Sequence, residues 1–205
     1  TGVSAHDLMT GEITWHVRAA TTATSSLVVS DTHVYAATYV QTGEEALRPA
    51  IPTWEKLLES SDKNNDAKIS ADEFPRELFW FRRPEGEASP QSSPRIRINH
   101  VDFNKDGAVG VQEWTGFKKR FESGRENITD HGLLSIRLGG KGDVSKTHLT
   151  VIEKQALPEV PSPVMNDTRL FMVKNGGILT CIDIANETRL YRQRLGTTGT
   201  HFASP

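Results

Sequence analysis

The sequence predicts a mainly β protein with an α insert, its β part amounting to a partial β-propeller of about two blades. Three observations carry this. Residues 1 to 40 and 132 to 205 alternate in the manner of strands, whereas residues 41 to 131 carry helical periodicity and acidic loops. Two strand phrases occur twice, each with its offsets preserved. Ser162-Pro163 returns as Ser204-Pro205 after 42 residues, about the length of one four-stranded blade.

Taken in order, the first block (1–40) holds Ala5-His-Asp7, then Thr10-Gly11 and Trp15. Ser26 to Ser30, Asp31-Thr-His33 and Val34 to Val40 follow, reading as strand, turn and strand. The last block (132–205) repeats both phrases. Ser162 to Asn166, Asp167-Thr-Arg169 and Leu170 to Val173 match the second, while Cys181-Ile-Asp183, Asn186-Glu187 and Tyr191 match the first. The three blocks predict one strand finishing a blade over residues 1 to 24, a second blade split by the insert, and a third from about Pro161. In the split blade, Val34 to Val40 and Leu133 to Leu138 are expected as hairpin neighbours, because a hairpin tip tolerates an insert whose ends lie close together.

The middle block (41–131) carries the chemistry. Asp102-Phe-Asn104-Lys-Asp106-Gly107-Ala108-Val109-Gly110-Val-Gln-Glu113 satisfies D-x-[DN]-x-[DN]-G-x5-E in full. That spacing makes a calcium loop, since a hard cation asks for six to eight oxygens. Asp102, Asn104 and Asp106 supply side-chain oxygens, Ala108 a backbone carbonyl and Glu113 a bidentate carboxylate, while Gly110 leaves its vertex to water. Asp62-Lys-Asn64-Asn-Asp66-Ala67-Lys68-Ile69-Ser70-Ala-Asp-Glu73 is a second such loop, with ligands at Asp62, Asn64, Asp66, Lys68, Ser70 and Glu73. It has Ala67 where the sharp turn favours glycine. A positive φ there costs an alanine about 1 kcal/mol, so this loop is expected to bind more weakly. Ile69 and Val109, at the same eighth position, are placed to join the loops by a short antiparallel contact. Trp54, Leu57 and Leu58 before the first loop, and Trp114, Phe117 and Phe121 after the second, have helical spacing and read as the pair's own core. Together these make an EF-hand pair with two calcium ions.

Composition closes off other classes. Lysine plus arginine number 24 against 26 aspartate plus glutamate, so a net charge of -2 gives no pull on nucleic acid. No run approaches the roughly 20 apolar residues of a membrane span. The seven histidines stand singly, without zinc spacing, and read as ordinary surface or turn residues. Gly139-Gly-Lys-Gly142 with Ser145-Lys-Thr147 lacks the glycine a phosphate loop needs before its lysine, and reads as a hairpin turn. Residues 84 to 94 read as a solvated linker between the two hands. Asn127, Asn166 and Asn186 begin Asn-x-Thr sequons, two of them in predicted turns. Cys181 reads as a buried strand residue. No catalytic constellation assembles, because every close carboxylate pair lies in a calcium loop. Starting at Thr1 and stopping at Ser204-Pro205 in mid-pattern, the chain reads as a piece of something longer.

The repeated phrases, with Asn175-Gly-Gly-Ile-Leu-Thr-Cys-Ile-Asp183, Leu195-Gly and Ala203-Ser-Pro205, resemble the repeat of the quinoprotein-type β-propellers, especially planctomycete members. The resemblance implies a propeller scaffold and an extracytoplasmic, periplasmic or secreted, location, where calcium is plentiful. It also raises an alternative, a fragment of a dehydrogenase dependent on pyrroloquinoline quinone. Enzymes of that kind stack the quinone against an adjacent-cysteine disulfide, and this sequence has one cysteine. The expectation is therefore a non-enzymatic, calcium-binding scaffold or interaction module. Its partners would be an unidentified protein or remaining blades, with self-association of the fragment as a further way to cover bare sheet edges.

Overall fold

The computed structural model describes residues 2–21, 23–40, 44, 48–82, 94–126, 131–197 and 201–205. The chain is mainly β, with four sheets and two α-helices among the described residues, and divides into two compact units. Among the described residues, the β unit takes those up to 44 and those from 131, and the insert unit takes 48–82 and 94–126.

The β unit contains three sheets. In the first, β1 (Gly2–His6) and β2 (Ile13–Arg18) form a hairpin, and β8 (Gly142–Asp143) joins β2 in parallel. The second has the order β3 (Val28–Val29), β4 (His33–Ala37), β7 (Leu133–Arg137) and β9 (Leu149–Glu153), all antiparallel. The third, also antiparallel, runs β10 (Val164–Asn166), β11 (Arg169–Lys174), β12 (Ile178–Asp183) and β13 (Thr188–Arg194).

The repeated phrases occupy equivalent places. Val28 faces Tyr35 as Val164 faces Phe171, and Val29 faces Val34 as Met165 faces Leu170. Ala5 faces Trp15 as Cys181 faces Tyr191, and in both hairpins the register slips at the next residue, His6 or Ile182. The turns also correspond. Asp7 Oδ1 accepts the N–H groups of Met9 and Thr10, and Asp183 Oδ1 accepts that of Ala185. The turns then close through positive φ at Gly11 (74°) and Glu187 (52°). Even the joints repeat: Ser26 N donates to Ser162 Oγ at 2.8 Å, and Ser162 N to Ser204 Oγ at 3.0 Å.

Alternation buries one row of each sheet against its neighbour. Trp15 and Val17 pack with Val34, Ala36, Leu134 and Ile136, and the other side of the second sheet sets Tyr35, Ala37 and Leu133 against Leu170, Met172 and Ile182. Glu153 ties the second and third sheets through Arg189 (3.0 Å) and Arg192 (2.8 Å).

Strands β4 and β7, separated by the insert, pair from His33↔Arg137 to Ala37↔Leu133. Beyond Ala37 the pairing is locked by Thr38, whose N–H and hydroxyl both reach Gly132 O, while Gly132 N donates back to Thr38 Oγ1 at 2.8 Å. Gly132 has a φ of 150°, and a Cβ there would strike Glu153 O, so only glycine fits.

Several expectations need correction. Residues 1 to 24 carry two strands rather than one. Gly139 to Thr147 lies, as expected, in the hairpin connection between the antiparallel β7 and β9, but the connection is long, and within it β8 pairs with β2 of the first sheet. His131 is buried rather than at the surface. The proposed linker at 84–94 and the Asn127 sequon lie outside the described residues, Pro94 excepted. Asn166 and Asn186 lie at a strand end and in a turn, and Cys181 is a buried free thiol.

Candidate metal centre

The insert unit opens with α1 (Trp54–Ser61), capped by Thr53, whose side chain accepts Lys56 N and whose carbonyl accepts Leu57 N. The Asp62 loop follows. Its strand β5 (Ile69–Ser70) pairs antiparallel with β6 (Ala108–Val109) of the other loop, Ile69 opposite Val109. From the second loop emerges α2 (Val111–Glu126).

The two inner helices that a full pair would have are absent among the described residues. After Glu73 the chain makes turns, and a 3-10 turn (Ile98–His100) leads into Asp102. Pro75 is the physical reason on the first side. It lacks the N–H that a helix begun at Ala71 would need there, and its ring forces Phe74 away from helical angles. The chain instead makes a short antiparallel contact, Phe79 opposite Arg95, with Ile96 N donating to Leu78 O at 2.8 Å. The unit holds together by burial. Leu57, Ile69, Val101, Val109, Trp114, Phe117 and Phe121 share one core, on which Trp54, Leu58 and Trp80 pack. Trp114 donates its indole N–H to Pro52 O, and Trp80 stacks edge-on to Phe117 at 5.6 Å.

Both loops wind in the same way. The fourth residue is left-handed in each, Asn65 at φ 57° and Lys105 at 61°, and so is the sixth, Ala67 at 60° and Gly107 at 89°. Ala67 therefore takes the turn a glycine usually supplies, in the narrow left-handed well open to L-residues. Hydrogen bonds then fix each oxygen. The first aspartate accepts the N–H of the sixth residue: Asp62 Oδ2 from Ala67 and Asp102 Oδ2 from Gly107, both at 3.0 Å. Asn64 and Asn104 accept from Asp66 N and Asp106 N, while these aspartates accept from Lys68 N and Ala108 N.

The closing glutamates are held at both oxygens. Glu73 Oε1 accepts Lys63 N (2.9 Å), and its Oε2 accepts Ser70 Oγ (2.6 Å) and Ser70 N (2.9 Å). Glu113 accepts Phe103 N and Asn104 N at one oxygen and Gly110 N at the other. The Ser70 hydroxyl, with the Ser70 and Lys63 amides, holds the Glu73 carboxyl down to about 2, well below the usual range. The Ala108 amide does the same to Asp106 in direction, helped by Asn104 and Lys68.

One oxygen departs from this bookkeeping of donors. Asp62 Oδ1 is cut off from solvent and has no hydrogen-bond partner. A bare carboxylate oxygen so placed is costly unless a cation meets it. It stands at the first position of the loop, where the pattern asks for a ligand. The donor set fits a hard cation: carboxylates, amide oxygens, a hydroxyl and backbone carbonyls, with no sulfur or imidazole. Among the described residues no three His, Cys, Asp or Glu side chains converge as a ready-made metal cluster. The carboxylates of each loop are spread along it, and amide and carbonyl oxygens lie between them.

Lys68 was legible only as a backbone ligand. Because β5 and β6 pair, its ammonium reaches across to Asp106 Oδ2 of the other loop at 3.8 Å, edging a cavity of about 270 Å³ lined also by Asn104, Ala108 and Glu113. The pairing of eighth positions was the signal that could have placed it there.

Comparison with known proteins adds no relative. No protein-family model matches the chain, and neither a curated protein nor a solved structure matches it. Among the described residues no helix is long and apolar enough to cross a membrane.

Proposed function

We propose that this chain is a calcium-binding, non-enzymatic scaffold or interaction module of the β-propeller kind, in which two calcium ions order a paired-loop insert. The observation that carries the reading is the bare, buried Asp62 Oδ1 inside a loop whose other oxygens are positioned by the backbone. Asp62, Asn64, Asp66, Lys68 O, Ser70 and Glu73 would hold one ion, and Asp102, Asn104, Asp106, Ala108 O and Glu113 the other. Calcium would supply positive charge to the oxygens of each loop, and nothing more is asked of it.

A structural role suits the insert better than a sensor that opens. Trp54, Phe74, Trp80, Trp114, Phe117 and Phe121 pack in or on its own core, and no methionine lies between residues 41 and 131. The matching registers, turns and serine joints of the three sheets support successive propeller blades. An extracytoplasmic setting belongs to the same reading, since weak sites fill where calcium is plentiful. Its partners remain those expected of a scaffold: an unidentified protein, further blades or a second copy.

Calorimetric titration of the chelator-treated chain with calcium tests the proposal. Two binding events are expected, with Asp62→Ala removing one and Asp102→Ala the other. A chain that takes up no calcium at millimolar concentration would overturn it.

A further inference from the structure

The three sheets of the β unit repeat one another, so what covers a row of side chains in one sheet states what the equivalent row in another is built to meet. In the first sheet the row Ala5 and Trp15 is covered by the second sheet, leaving Trp15 5% exposed. In the second sheet the row Val28 and Tyr35 is covered by the third, leaving Tyr35 3% exposed. The third sheet carries the corresponding row complete across all four strands: Val164, Phe171, Cys181 and Tyr191 stand directly opposite one another. Here the ends of the row are exposed, Val164 at 39% and Tyr191 at 40%, while Cys181 in its middle is closed over at 2% within the sheet itself. Phe202, further along the chain, is 67% exposed and does not close the face.

We propose that this face is a docking surface for one more β-sheet of the same repeat, presenting the residues that already do this work twice. Those residues are Val34, Ala36 and Ile136 of the second sheet, and Leu170, Met172 and Ile182 of the third. The occupant is therefore a sheet with two adjoining strands whose alternate residues are medium-sized and apolar. Continuity with the two existing interfaces selects it, because the same row meets the same counter-row each time. A second copy of this chain has no such counter-row to offer, since both of its own are buried in its interior. The opposite face of its first sheet shows Ser4, His6, His16 and Arg18 instead. The inference rests on the repeat of the β unit and not on calcium, so either can fail alone.

The test builds the occupant. The full chain is extended after Pro205 with a second copy of residues 164–205, which continues the Ser-Pro spacing. Amide exchange is then followed in β13 of the original sheet, and its Tyr191 is probed by an added collisional fluorescence quencher. Slowing of β13 exchange by at least roughly tenfold and shielding of Tyr191 are expected. Leu170→Asp with Met172→Asp in the added copy alone should abolish both. So should Tyr191→Glu in the original sheet, which in the unextended chain leaves an exposed site and a folded protein. Unchanged exchange in an extension that is itself strand-paired overturns the proposal. Protection of β13 that grows with concentration in the unextended chain also overturns it, assigning the face to a second copy.

Discussion

At the scale of single residues, the two loops proposed to hold calcium differ at their sixth positions, and the difference has a direction. Gly107 adopts a φ of 89° without restraint, whereas Ala67 at 60° holds a conformation that L-residues enter at a cost of about 1 kcal/mol. Winding the loop round an ion bears that cost, so Ala67→Gly should tighten the weaker calorimetric event about fivefold and leave the stronger unmoved. Identical affinities in the variant and the parent would show that the loop is wound equally with and without the ion. Lys68 acts on the other loop. Its ammonium lies 3.8 Å from Asp106 Oδ2, both groups about half exposed, and it repels a cation approaching that carboxylate. Lys68→Gln should therefore raise affinity at the Asp102 loop modestly, and added salt should shrink the gain because screening acts on exposed charges. A salt-independent gain would point to the Lys68 side chain blocking the site by bulk.

At the scale of elements, the turns of β1–β2 and β12–β13 rest on aspartates that must be ionised. The Thr10 and Met9 amides hold Asp7 below the ordinary carboxylate range, and Asn186, the Ala185 amide and Arg169 hold Asp183 there. A lowered folded value means that the stabilisation is present above the unfolded value of about 3.9 and fades as pH falls through the folded one. The melting temperature should drop as pH falls from 5 to 2, and the double variant Asp7→Asn, Asp183→Asn should show a shallower drop. Parallel curves would assign the acid response to other carboxylates. These turns were legible because an aspartate, its Thr-Gly or Asn-Glu partner and an aromatic recur at fixed offsets. The left-handed sixth position of each acidic loop and the pairing of Ile69 with Val109 were legible for the same reason: loop spacing is local. What could not be read was non-local or a matter of degree. The missing inner helix depends on Pro75 outweighing a helical pattern, and β8 pairs with β2, a strand far back in the chain. The buried pair Lys174 and Glu44, 3.2 Å apart, joins residues 130 positions away from each other.

At the scale of the molecule, the β4–β7 pairing makes a specific claim about how the insert was accommodated. Its two attachment points are neighbours in a ladder, closed by the reciprocal hydrogen bonds of Thr38 and Gly132, so the sheet does not need the insert to bring its halves together. Replacing residues 40–131 with Asn-Gly would leave Tyr39-Asn-Gly as a three-residue loop with glycine last, where hairpins of that length want a left-handed residue. The excision also removes Glu44, whose carboxylate meets the buried Lys174 ammonium and the Leu157 N–H. A buried charge that loses its partner costs about 3–5 kcal/mol, a large share of the about 5–15 kcal/mol by which a domain is stable. The excision is therefore made together with the companion change Lys174→Met, which keeps the stem and drops the charge. With it, cross-strand contacts from Val34 to Ile136 and from Ala36 to Leu134 should persist in NMR spectra, calcium binding should vanish, and the melting curve should keep a single transition. Loss of those contacts in the doubly altered chain, while the third sheet stays paired, would show that the insert is needed to hold β4 and β7 together.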